Sequence, residues 1–149
     1  MVKKIIIFAI LVIAVLFPMP ENNHPAGENS MFRAYKVPGE VSEILRRSCN
    51  DCHTGQTRYE WYHKVAPLSW GVYAHIKEGK KHLNFDKWMV YNPYQKRSIF
   101  DDLHEVLDKR NMPLISYIMF HPETRLGDKE VEILRQWFEE LERKELKTP

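Results

Sequence analysis

Apolar side chains recur at helical spacing in three stretches of the chain. Val41, Ile44 and Leu45 follow Pro38-Gly39 and predict a helix over residues 40–52. Ile99, Phe100, Leu103, Val106 and Leu107 line a second helix, with Ser98 as its candidate N-cap and Lys109-Arg110-Asn111 at its end. Val131, Leu134, Trp137, Phe138 and Leu141 line a third, which starts at Asp128 after Gly127 and is expected to fray from Glu142 onward. The apolar run at 113–120 has room for one or two helical turns before His121-Pro122 stops it. From 54 to 93 the pattern weakens: Pro67, Gly71, Gly79 and Pro93 punctuate it, and only residues 69–77 read as helix. No stretch alternates as a strand does. These patterns predict an all-α bundle of four or five helices with a long irregular loop.

The N-terminus follows a different rule. Lys3 and Lys4 lead into an unbroken apolar run, residues 5–17, followed by Pro18-Met19-Pro20. Its 13 residues match a signal-peptide core and fall short of the roughly 20 of a spanning helix. No Ala-x-Ala site follows and no cysteine stands there to take a lipid, so a retained, slightly short anchor is favoured over cleavage. Residues 1–19 are thus a signal or anchor segment, 20–36 a polar spacer, 37–143 the domain and 144–149 a tail. The two lysines place the start in the cytoplasm and the rest outside, on the periplasmic side of the membrane.

Composition narrows the class further. With 44% hydrophobic and 12% aromatic residues the chain has the means to build a core, which argues against general disorder. A formal charge of only +2 gives no footing for nucleic-acid binding.

Only two cysteines occur, both in Ser48-Cys49-Asn50-Asp51-Cys52-His53. Two thiols three apart, followed directly by histidine, form the attachment pattern of a c-type haem. The thiols add to the two vinyl groups along one porphyrin edge, and the adjacent imidazole turns to the iron as proximal ligand. The export signal agrees with this chemistry. A redox disulfide would need a preceding strand in a βαβ unit, and a zinc site two more ligands; both readings stay open with less support.

The opposite axial position decides the chemistry. Met112, in Asn111-Met112-Pro113, is the leading distal candidate, because it sits in a loop between helices and the proline stiffens the backbone beside it. A methionine used to fill the core is the plain alternative, and Met119 fits that role. His121, His82, His75 and His63 are further candidates, each of which would give a bis-histidine site of lower potential. An open sixth position is the last option. Trp61, Tyr62, Trp70, Tyr73, Phe85, Trp88 and Tyr91 supply rings that pack on a porphyrin or on one another. Lys77, Lys80, Lys81 and His82 form a basic run that suits haem propionates, an acidic redox partner, or simply a solvated turn.

Beyond the attachment site, Val37-Pro38-Gly39-Glu40-Val41, Trp61-Tyr62, Ala66-Pro67-Leu68-Ser69-Trp70, residues 78–85, Trp88, Met112-Pro113-Leu114, Tyr117, His121-Pro122 and Leu126 together resemble the haem-binding domain family of small exported bacterial mono-haem proteins. The resemblance covers about two-thirds of the chain. It implies one covalent haem c on Cys49, Cys52 and His53, with Met112 the natural distal position; with the helical pattern, the expected fold is a cytochrome c-like bundle whose long loop wraps the haem. It supplies no reaction and no named partner. Electron transfer with unknown redox partner proteins is the leading function, and the chain is more an electron carrier than an enzyme. A peroxidase-like enzyme or a gas or redox sensor, using an open or displaceable sixth position, is the alternative.

Overall fold

Pro38 holds extended backbone and Gly39 opens a helix that ends where Cys49 departs from helical geometry. The computed structural model describes residues 2–16 and 21–146. In chain order its α-helices are α1 (Val2–Leu16), α2 (Met31–Ala34), α3 (Gly39–Ser48), α4 (Asn50–His53), α5 (Leu68–His82), α6 (Pro93–Lys109), α7 (Ile115–Phe120) and α8 (Asp128–Leu146). Short 3₁₀ turns cover Trp61–Lys64, Phe85–Val90 and Pro122–Thr124, and no strand occurs among the described residues. The all-α expectation holds.

Boundaries differ from expectation in instructive ways. The helix expected over 40–52 is two helices, broken at Cys49 (φ −127°, ψ −39°). The second periodic helix starts at Pro93, not at Ser98. Asn92 caps it by accepting from Gln95 N–H, Gln95 answers by accepting from Asn92 N–H, and Pro93 takes the first helical position, where its missing N–H costs nothing. The helix expected at 69–77 forms as the 15-residue α5, which starts one residue earlier and continues through Gly79 to His82, into the stretch expected to be irregular. The last helix does not fray at Glu142: Glu142 meets His104 and Glu145 meets Lys96, tying its end to α6.

The core lies among α3, α6 and α8. Val41, Ile44, Leu45, Ile99, Phe100, Leu103, Leu107, Val131, Leu134, Phe138 and Leu141 pack there, joined by Met31, Leu83, Phe85 and Trp88. Burying one such side chain contributes about 1.5–3 kcal/mol, so these helices form the stable body. The other half, α4, α5 and α7, is sparingly buried: α5 contributes only Ser69 and Ile76, and α7 no buried residue.

Residues 21–30, expected within a polar spacer, run along this second half. Asn23 exchanges hydrogen bonds with Thr57 through its side-chain amide, His24 N–H donates to the Gly55 carbonyl and Met89 N–H to the Asn29 carbonyl. Helix α1 spans 15 residues, a rise of about 22 Å. Among the described residues no helix is long and apolar enough to cross a membrane. Phe17, the end of the expected apolar run, and the tail from residue 147 lie outside the described residues.

Candidate functional site

The break at Cys49 makes the site. The Cys49 carbonyl accepts from Cys52 N–H at 3.2 Å and His53 N–H at 3.1 Å, so 49–53 close into one tight turn. Both cysteines are free and half-buried. Burial, reinforced by Cys52, pushes the Cys49 thiol up to about 12, and burial followed by Asp51 pushes Cys52 up to about 11. Thiols held this high stay protonated at neutral pH, unlike the activated thiolate of a redox disulfide site.

His53 has a different environment. Its Nδ1 hydrogen-bonds the Leu83 carbonyl at 2.8 Å, and its ring lies 6.1 Å from that of Phe85. Burial lowers its pKa, against a smaller opposing pull from the Leu83 and Gly79 carbonyls. A neutral imidazole with Nδ1–H on a carbonyl presents its Nε2 lone pair, which is the form and orientation that ligates a metal.

Asp51, between the cysteines, anchors the turn. Its buried carboxylate accepts from the Arg58 backbone N–H at 3.0 Å, from Arg58 Nε at 3.0 and 3.2 Å, and from the Tyr117 hydroxyl. Arg58 also donates to the Arg47 carbonyl at 3.1 Å and to Tyr117 Oη at 3.0 Å, and Thr57 Oγ1 donates to the Asp51 carbonyl at 2.7 Å. Burial, then Asp51, holds the Tyr117 phenol far above its usual value, so it stays protonated and donates. Sequence reasoning singled out neither Asp51 nor Arg58 for a role. The available signal was an acid inside the Cys-x-x-Cys turn with an arginine seven residues on.

Cys49, Cys52 and His53 are therefore brought together on one turn. Met112 is on a separate segment, the α6–α7 connection, and is 39% exposed. Arg110, in the left-handed region at φ 52°, ends α6, and buried Pro113 follows Met112 through a cis peptide bond. Tyr117, five residues beyond Met112, connects that segment to the turn of residues 49–53 through Asp51. Three of the four alternative histidines have partners elsewhere. His121 is buried, with Nε2 on the Tyr62 hydroxyl and Nδ1 3.4 Å from Glu123. His63 Nδ1 accepts from Glu60 N–H at 2.7 Å, and His82 Nε2 pairs with Glu78 at 3.1 Å. His75 is exposed on α5. Met119, expected in the core, is 76% exposed.

Of the basic run, Lys81 and His82 pair with Glu78. Lys80 is half-buried; burial lowers its pKa, while Asp86 and Cys52 pull it the other way. Among the described residues no three His, Cys, Asp or Glu side chains gather into a metal cage, so the two cysteines and His53 do not complete a zinc site.

Three features fit a covalently held haem: two unpaired thiols on one turn, a histidine oriented by a carbonyl, and apolar side chains at the surface of the surrounding elements. Trp61, Val65, Leu68, Trp70, Ile115 and Phe120 are exposed and stand on or beside the helices around α4. Leaving so many rings and aliphatic chains in water is unfavourable unless an apolar group covers them. The family model for the haem-binding domain matches residues 9–140. No curated protein and no solved structure matches the chain.

Proposed function

The chain belongs to the haem-binding domain family, and from that premise we propose that it is a mono-haem c-type cytochrome carrying electrons outside the cytoplasmic membrane. One observation carries the reading: His53, oriented by the Leu83 carbonyl, stands on the same turn as two free thiols. Cys49 and Cys52 would hold the haem by thioether bonds, His53 would be its proximal ligand and Met112 its distal one. Bound there, the haem supplies a one-electron couple between ferric and ferrous iron. The protein's own part is to hold and shield. Asp51 and Arg58 fix the turn, Leu83 fixes the imidazole, and the exposed apolar chains of α5 and α7 would exclude water. No acid or base is required of any side chain. Lys3, Lys4 and the apolar residues 5–17 support export, with the domain tethered on the periplasmic side.

A second reading rests on the exposure of Met112 and the thin packing of α7, which favour a displaceable sixth position. The protein would then be a peroxidase-like enzyme or a gas or redox sensor.

The test uses the full chain produced with a c-type haem maturation system. A low-spin spectrum with a methionine–iron charge-transfer band, unshifted by carbon monoxide, is expected. Met112→Ala should remove that band and lower the potential by on the order of 0.1 V. An unchanged spectrum and potential would remove Met112 from the site, and rapid carbon monoxide binding by the native protein would favour the second reading. If no haem stays attached after denaturation, the cytochrome reading fails.

A further inference from the structure

Helix α7 has no buried side chain, and Ile115, Met119 and Phe120 are exposed. Beyond the contact of the Phe120 ring with that of buried Tyr62, 4.8 Å between centroids, apolar packing does little to place it. Tyr117 does more: its hydroxyl donates to Asp51 and accepts from Arg58 Nη2 at 3.0 Å. The Asp51 side chain is 8% exposed, so this junction is shielded from water, where hydrogen bonds to a charge are strongest. Arg58 is held in turn by the Arg47 carbonyl at the end of α3. Asp51 and His53 share one turn. Tyr117 and Met112 share one short segment, stiffened by buried Pro113 and by the Leu114 carbonyl, which accepts from Tyr117 N–H at 2.9 Å and Ile118 N–H at 3.0 Å. Three polar side chains thus join the segment that bears His53 to the segment that bears Met112.

We infer that Asp51, Arg58 and Tyr117 are positioning residues that hold the Met112 segment against the His53 turn and so set how firmly the sixth position is closed. The inference rests on the reading of Met112 as distal ligand. None of the three touches the haem in this account; they act through the two backbone segments they connect. Loss of the Tyr117 hydroxyl removes a hydrogen bond to a carboxylate without removing the ring, which keeps its contact with His121 at 4.6 Å between centroids.

The experiment compares the full-length haem-loaded protein with Tyr117→Phe and Met112→Ala. It reads the methionine–iron charge-transfer band and the rate at which the ferrous form binds carbon monoxide, with far-UV circular dichroism as the check on folding. Tyr117→Phe should keep native helix content, weaken the band and bind carbon monoxide about tenfold faster, since losing a charge-assisted hydrogen bond shifts an open–closed equilibrium by about that factor. Arg58→Lys, which keeps a positive charge beside Asp51 but loses the guanidinium fork, should move both readouts in the same direction. Suppose Met112→Ala abolishes the band while folded Tyr117→Phe matches the native protein in both readouts: the positioning inference is then overturned and the ligand assignment stands. If Met112→Ala changes neither readout, the ligand assignment fails and takes the inference with it. Failure of both Tyr117→Phe and Arg58→Lys to fold would also overturn it, because the junction would then serve folding rather than ligation.

Discussion

Glu130 shows how one side chain can do two things at the start of a helix. Its carboxylate accepts from Gly127 N–H at 2.9 Å, satisfying a donor that α8 leaves unpaired, and from Arg47 at 2.8 Å, which ties α8 to α3. Burial pushes its pKa up, but the Gly127 amide and Arg47 outweigh that and hold it below the usual value. Because the folded pKa is the lower one, this contribution to stability is present above about pH 4.3 and lost as pH falls through the folded value. Glu130→Gln should therefore lower stability by about 1 kcal/mol at pH 7 and by less at pH 3, read from urea midpoints at the two pH values. An equal loss at both would show that the charge is irrelevant. At this scale the grouping of Cys49, Cys52 and His53 on one turn was legible in the sequence, since the three are neighbours in the chain. The Leu83 carbonyl that orients His53 was not, because any residue has a carbonyl and only folding brings this one near.

At the scale of elements, two glycines in α5 have opposite meanings. A Cβ on Gly71 would meet nothing within 4 Å, whereas one on Gly79 would lie 3.0 Å from the Cys52 carbonyl oxygen and 3.2 Å from Cys52 Cβ. Gly71→Ala should raise stability by up to about 1 kcal/mol through helix propensity. Gly79→Ala should lose that gain and more, because the α4 turn is pinned by Asp51 and cannot retreat. Thermal unfolding of the pair reads the difference; similar midpoints would mean that α5 and α4 can move apart freely. The helix expected at 69–77 already runs through Gly71; reading Gly79 as punctuation hid only the last turn of α5. Pro93 misled in the same way, although Asn92-Pro93-Tyr94-Gln95 carries a capping signature that fits a helix start.

Across the whole molecule, the apolar core and the candidate site lie in different halves. The α3, α6 and α8 core holds most of the buried apolar side chains, while the half around α4 is held largely by polar junctions. The segment 21–30 is tied to the rest through Asn23, His24 and Asn29, with Ser30 fully buried. A chain starting at Met31 should thus be less stable than one starting at Glu21 by about 1–2 kcal/mol, the net value of a few part-exposed hydrogen bonds. Equal urea midpoints would mark the segment as dispensable.

The sequence by itself determined the helical class, the three core helices and the grouping of Cys49, Cys52 and His53, because each depends on spacing within a few residues: helical periodicity, or two thiols and an imidazole in one turn. Tertiary structure alone decided which face of α5 could approach Cys52, which carbonyl turned His53 and which tyrosine linked the Met112 segment to Asp51. Those pairings join residues 27 to 66 positions apart. Their specificity comes from shape and from hydrogen bonds completed across the fold, which leave no period in the chain to be read.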